Sequence, residues 1–236
     1  MNWDILISTY PSEKDDILRA KSLQGQVDEA MNGMEIPVLD GPCPEDRLLS
    51  LFPDLARVCS NVWRDYSGSE PSFDMTGLLH TFAKKEAFPA IEGINEDALQ
   101  VILTRTFSRL LFLLREKNSG VIPDTWSQGS CPFCGAFARI GFDSETGRVL
   151  HCPTCGHAWR YPRVRCTVCG NADHSTLGYF EAEGLVGIRV SFCKECSHYI
   201  KVIDAGARDT ADPETEDALS LEMDNLAVEE GFIEVP

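Results

Sequence analysis

Four Cys-x-x-Cys pairs fall between residues 131 and 196 of a 236-residue chain: Cys131/Cys134, Cys152/Cys155, Cys166/Cys169 and Cys193/Cys196. Two cysteines with two residues between them can aim both sulfurs at one ion. Two such pairs complete a tetrahedral four-sulfur site. Four pairs therefore predict two sites, and eight of the ten cysteines are committed to them.

The first two pairs are separated by 17 residues and the last two by 23. The first spacing is that of a structural metal ribbon; the second needs a longer hairpin. Arg139 to Phe142 and Arg148 to Leu150 are the expected strands of the first ribbon, with Asp143 to Gly147 as its turn. Leu177 to Phe180 and Val186 to Phe192 are those of the second, turning at Glu183-Gly184. A glycine follows each of the first three pairs, where the chain must turn through a conformation with positive φ. The two ribbons span 25 and 31 residues. Chains below about 40 residues seldom fold on core burial alone, so metal binding is expected to be a requirement of this fold. Ten residues separate Cys155 from Cys166, room for two modules in tandem. The expected cofactors are two mononuclear metal ions, iron or zinc, since a tetrahedral S4 set suits both.

Other candidate ligands are weaker. Cys59 lies on an apolar helical stripe and reads as a core residue; Cys43 lies in a Pro-flanked turn. His151, His157, His174 and His198 flank the pairs, but eight cysteines already complete two tetrahedra. Arg160, Arg163 and Arg165, beside Trp159 and Tyr161, have two readings. They balance charge near thiolates and pack one ribbon on the other, or they form a partner-docking patch.

The first 130 residues read as a helical bundle of four or five helices. Ile17, Ala20, Leu23, Val27 and Ala30 form one apolar face, with Ser12 as its expected cap. Leu48, Phe52, Leu55, Cys59, Val62 and Tyr66 form a second face. Pro53 makes that segment either a kinked helix or two helices. Asn95 is placed to cap a helix carrying Leu99, Ile102, Leu103, Phe107, Leu110 and Leu114. A closing amphipathic helix is expected around Leu219, Met223 and Leu226.

The fold class is thus α+β and multi-domain. A helical domain spans 1–125, a first rubredoxin-like or zinc-ribbon module 126–161 and a second 162–204. An acidic linker and C-terminal helix fill 205–236.

The net charge of -16 argues against generic nucleic-acid binding, which needs clustered Lys and Arg. Residues 131–203 carry 8 Lys/Arg against 6 Asp/Glu, while both flanks are strongly acidic. No apolar run approaches the roughly 20 residues of a membrane span, and the first residues lack the pattern of a signal peptide. A cytoplasmic protein without membrane insertion is expected. No nucleophile–base pair, Gly-rich phosphate loop or open metal position points to an enzyme.

Taken together, several motifs resemble the FdhE family of formate dehydrogenase accessory proteins. These are Leu150-His151-Cys152-Pro153-Thr154-Cys155, then Trp159, then Arg165-Cys166-Thr167-Val168-Cys169, then Cys193-Lys194-Glu195-Cys196-Ser197-His198-Tyr199-Ile200-Lys201. Asp204, Ala218-Leu219-Ser220-Leu221 and Glu229-Glu230-Gly231-Phe232 extend the likeness, which covers about 131–232 and the helical half only in character. The resemblance implies a non-enzymatic assembly factor whose partner is the formate dehydrogenase catalytic subunit. The eight cysteines would be tied to metal binding and to that interaction. Two other classes carry their own expectations: a rubredoxin-like iron protein for electron transfer or oxidant sensing would be coloured, and a zinc-ribbon nucleic-acid binder would bind salt-sensitively.

Overall fold

A computed structural model describes all residues except 42–44, 85, 90, 123–124, 209–211 and 236. The expectations about Cys43 lie outside the described residues. The chain divides into two compact units: 15–122, and 123–236 together with 1–14. Among the described residues no helix is long and apolar enough to cross a membrane.

The first unit is helical: α2 (Lys14–Ala30), α3 (Glu45–Ser50), α4 (Phe52–Ser67), α5 (Met75–Ala83) and α6 (Glu96–Lys117). Pro53 falls in the first turn of α4, where its missing N–H costs nothing, so the second apolar face is built by two helices. Gly68 ends α4 at φ 73°, donating its N–H to the Arg64 carbonyl at 2.8 Å. Asp74 caps α5 through the N–H of Thr76, and Asn95 caps α6 through that of Ala98, each at 3.0 Å. Phe52, Leu55, Cys59, Val62, Leu79, Leu99, Ile102, Leu103, Leu110 and Leu114 form the core. Tyr66, expected on the buried stripe, is 51% exposed. Ser12 is not a cap: Pro11–Glu13 form a 3-10 turn and α2 starts after it. Asn118 ties the loop before α3 to the end of α6. Its amide nitrogen donates to the carbonyls of Leu114 (2.7 Å) and Pro37 (3.1 Å), and its oxygen accepts from Leu39 N–H (2.7 Å).

The second unit is built on one sheet. Its strands are β1 (Ile140–Ser144), β2 (Gly147–His151), β3 (Ala158–Tyr161), β4 (Leu177–Glu181), β5 (Ile188–Cys193), β6 (His198–Asp204) and β7 (Ile233–Glu234). The order is β3-β2-β1-β6-β5-β4, with β7 pairing β6. The two hairpins are present, but they are joined: β1 pairs parallel with β6, Ile140 opposite Lys201 and Phe142 opposite Ile203. A hairpin alone leaves both edges unpaired, and this pairing removes an inner edge from each ribbon.

Side chains alternate across a strand, and the two faces of the sheet differ. On one, Ile140, Phe142, Ile188, Val190, Tyr199 and Ile203 pack on Met223 and Ala227 of α8 (Leu221–Glu229). Phe192 stacks on Phe232 at 4.3 Å between ring centres. The single closing helix of the sequence reading is two helices, α7 (Pro213–Leu219) and α8, broken at Ser220. The hydroxyl of Ser220 donates to the Glu216 carbonyl at 2.6 Å. A short helix α1 (Trp3–Thr9) joins this unit, with Leu6 buried, Asn2 N–H donating to Thr215 Oγ1 at 2.5 Å and the Tyr10 hydroxyl reaching the Ala218 carbonyl at 3.5 Å.

Lys201 sits inside this unit at 1% exposure, pointing at the helices. Its ammonium lies 2.7 Å from an Asp217 carboxylate oxygen, 2.6 Å from one of Asp224 and 2.9 Å from the Asp217 carbonyl. The Tyr199 hydroxyl donates to the other oxygen of Asp224 at 3.0 Å. A charge buried this deeply persists only when paired, so this cluster fixes where α7 and α8 sit on β6.

Candidate metal centres

Each of the first three cysteine pairs begins with the same local fold. The N–H of Cys131 donates to Ala136 O (2.7 Å) and that of Gly135 back to Cys131 O (3.0 Å). Cys152 with His157 and Gly156 repeats the pattern, as does Cys166 with Asn171 and Gly170. Gly135, Gly156 and Gly170 have φ of 79°, 70° and 74°. These are values that L side chains rarely adopt. After the fourth pair the same bend is made by Ser197 at φ 60°, alone among described non-glycine residues in having positive φ. The knuckles also turn backbone N–H groups onto sulfur: Phe133 to Cys131, Thr154 and Cys155 to Cys152, Val168 to Cys166, all at 3.4 Å.

These turns bring Cys131, Cys134, Cys152 and Cys155 into one group and Cys166, Cys169, Cys193 and Cys196 into another. Within each, the sulfurs all lie within 4.8 Å of one another. Across each group the Sγ–Sγ distances are 3.5 Å (Cys131 to Cys155, Cys134 to Cys152, Cys166 to Cys196) and 3.8 Å (Cys169 to Cys193). A disulfide needs about 2.05 Å. A tetrahedron with metal–sulfur bonds of about 2.3 Å has sulfurs about 3.8 Å apart. The donor set therefore fits a single thiophilic ion in each cage and fits cross-bridging poorly. None of the four flanking histidines joins either set. His198 instead sets Nδ1 2.7 Å from the Cys196 carbonyl, and His157 stacks on Trp159.

Electrostatics agree. Hydrogen bonds from Cys134, Cys152 and Cys155 hold the Cys131 thiol far below the usual range, while Cys134 and Cys155 are pushed up by their neighbours in the same cage. Four sulfurs this close cannot all ionise without a cation among them. Burial opposes ionisation of Cys193, but the Asn171 amide and the backbone N–H groups of Cys196 and Glu195 outweigh it and bring the thiol to about 7. Cys59 is the contrast. It is buried in α4, burial raises its thiol to about 12, and it is a core residue.

The cages differ in exposure. Cys131, Cys152 and Cys155 are buried and Cys134 is partly so. In the second cage Cys169 is exposed and Cys196 partly exposed.

The two modules touch directly. The Tyr161 hydroxyl, at the end of β3, donates to the carbonyl of Cys166 at 2.7 Å. Trp159 Nε1 donates to Gln128 O at 3.0 Å, and Gly129 lies so close to Thr167 that a Cβ on it would stand 1.9 Å from the Thr167 carbonyl oxygen. The arginines between the ribbons divide. Arg160 and Arg163 donate to the carbonyls of Thr146 and Ser144 at the tip of the first hairpin, contacts to the first ribbon that do not join it to the second. Arg165 makes no ion pair among the described residues.

Residues 164–235 match the family described as FdhE, C-terminal domain. The chain is 34% identical over 167 residues to a protein FdhE homolog of Aquifex aeolicus, covering 66% of this chain and 59% of the relative. It is 29% identical over 125 residues to one of Pseudomonas aeruginosa, covering 49% and 40%. The matches thus span about 60% or less of those relatives' lengths. The crystal structure of the FdhE protein from Pseudomonas aeruginosa superposes with a TM-score of 0.64 at 19% identity, over 95% of this chain and 88% of that one. That likeness is one of fold.

Proposed function

We propose that this chain, an FdhE-type protein, is an accessory factor for the assembly or maturation of formate dehydrogenase, acting in the cytoplasm by binding and not by turnover. Its partner in this reading is the catalytic subunit of the enzyme. Each four-cysteine group would hold one ion, iron or zinc, with Cys131, Cys134, Cys152 and Cys155 on the first and Cys166, Cys169, Cys193 and Cys196 on the second. The ions would make the sheet rigid enough to present a surface to an unfinished client.

The match of 164–235, which contains the whole second cage, to the FdhE C-terminal domain supports this reading most directly. Two closed four-sulfur sets fit a structural role better than a catalytic one, which needs an open coordination position. The test is co-purification of the full chain with a formate dehydrogenase catalytic subunit, together with formate dehydrogenase activity in a strain lacking the chain. Unchanged activity in that strain would remove the proposal.

The same two groups of sulfurs admit a second reading, a rubredoxin-like iron protein. The backbone N–H groups aimed at Cys131, Cys152 and Cys166 would stabilise the charge of a four-thiolate site holding ferrous iron or zinc alike. The visible spectrum of anaerobically purified protein separates the two: a colourless zinc protein that still supports the enzyme leaves only the accessory role.

A further inference from the structure

The face of the sheet turned away from α8 carries a groove of about 290 Å³. Its floor is β4, β5 and β6, and its wall is the segment from Arg163 to Thr167 that leads from β3 into the second cage. The lining is unusual for this chain. The sequence has 37 Asp and Glu against 21 Lys and Arg, yet among the described residues no carboxylate lines the groove, while Arg148, Arg163, Arg165 and Arg189 do.

Those guanidinium groups are only partly neutralised. Asp143, just beyond the lining, accepts from Arg148 at 2.9 and 3.1 Å, pairs with Arg189 and lies 3.6 Å from Arg163. One carboxylate thus serves three cations, and among the described residues Arg165 has none. A divalent ion in the second cage would leave two negative charges on its four sulfurs. Even then, four guanidinium groups outnumber the cage and Asp143 together. Field lines from such a concave site concentrate on an anionic partner.

The lips are apolar. Val164 is 54% exposed on the wall and Tyr179 is 63% exposed on β4, its ring 5.3 Å from the Arg189 guanidinium. β4 is the terminal strand of the sheet, so a chain lying in the groove meets no further strand beyond Tyr179. Arginine beside exposed aromatic and aliphatic side chains is the composition of a protein-binding hot spot.

We infer that this groove is a docking site for an extended, acidic protein segment whose carboxylates pair with Arg163, Arg165 and Arg189 and whose central apolar side chain rests between Val164 and Tyr179. Peptide is favoured over nucleic acid because a polyanion longer than the groove meets the acidic remainder of the chain. The inference deepens the proposed accessory role and rests on it only for which protein supplies the segment.

The test uses the full chain and a fluorescein-labelled six-residue peptide in which three acidic residues surround a single Leu, short enough to lie within the groove, read by anisotropy. The acidic peptide binds, its Lys-substituted counterpart does not, and binding weakens as salt is raised. Arg165→Glu and Val164→Asp each weaken it about tenfold, the scale expected when a single interfacial charge is reversed or an acid is placed against an acidic ligand. Arg57→Glu on the helical unit leaves it unchanged. Circular dichroism and metal content confirm that each variant is folded. Equal binding by wild type and both groove variants overturns the inference. So does oligothymidylate or inorganic phosphate competing as strongly as the peptide. If the catalytic subunit co-purifies equally with wild type and Arg165→Glu, the groove fails and the accessory role stands. If the peptide binds but no catalytic subunit co-purifies with wild type, the accessory role fails and the groove stands.

Discussion

Tyr161 donates its hydroxyl to the backbone carbonyl of Cys166 at 2.7 Å, so the last strand of the first ribbon holds the first cysteine of the second. Burial pushes the phenol up to about 12, which keeps it a donor across the physiological range. Tyr161→Phe removes the hydroxyl and leaves that carbonyl with the Gly170 N–H as its remaining partner. We expect a loss of about 1–2 kcal/mol of stability, measured by chemical denaturation. The second cage should also lose its ion to a chelator faster than in wild type, with the first cage unchanged.

The unequal exposure of the cages predicts unequal release. A colorimetric chelator should remove metal in two phases of equal amplitude, the faster from the cage containing exposed Cys169. Cys169→Ser should abolish the fast phase and Cys155→Ser the slow one. A single phase in wild type, or the reverse assignment, would contradict the exposure argument.

Asp143 predicts a pH effect. Burial works against its ionisation, but Arg148, Arg189 and Arg163 outweigh that and hold the carboxyl below its usual range. A depressed acid stabilises the fold above its ordinary pKa near 4, and that contribution disappears as pH falls through the lowered value. The stability gap between wild type and Asp143→Asn should therefore be full at pH 6 to 7 and shrink below about 4. Because acid also weakens thiolate sites, the quantity to measure is the difference between the two proteins in urea at each pH. A gap that widens in acid would refute the assignment.

Removing one partner of a buried charge costs more than the pair contributes, because the other charge is left stranded. Asp224→Ala strands Lys201 with Asp217 alone and also deprives the Tyr199 hydroxyl of its acceptor. We expect a loss of about 3 kcal/mol. Hydrogen exchange should rise in α7 and α8 before it rises in β1 and β2. Uniform loosening of the whole sheet would argue against a local clamp.

Gly129→Ala tests a close approach of two backbones. Its Cβ would stand 1.9 Å from the Thr167 carbonyl oxygen, which is backbone and cannot swing aside. The variant should lose several kcal/mol, at or above the upper end for overpacked sites, and its second cage should bind metal more weakly. Gly120→Ala, where a Cβ would meet open space, is the control.

What could be read from the chain followed from how local each signal was. The cages were legible because ligand spacing is a property of a few neighbouring residues, and Gly135, Gly156 and Gly170 marked three of the four knuckles. The fourth uses Ser197 in a conformation that its residue type does not announce. Leu99 to Leu114 on α6 and Phe52 to Val62 on α4 kept a helical period over many turns, so their buried faces were plain. β6 was harder. Tyr199 to Ile203 is buried on both sides and does not alternate, with Lys201 in its middle. α1 and β7 span 7 and 2 residues and are held by α7 and β6, which no short window contains. The parallel register of β1 on β6 has no turn to declare it.

That last pairing has a consequence for how the protein is made. Ile140 to Asp143 leave the ribosome well before Lys201 to Asp204, the residues that will lie beside them. Until then the first ribbon carries an open inner edge, and an early metal ion cannot close it. Nascent chains stopped ahead of residue 198 should consequently be sticky and dependent on holding factors during synthesis, even when their first four cysteines are already loaded.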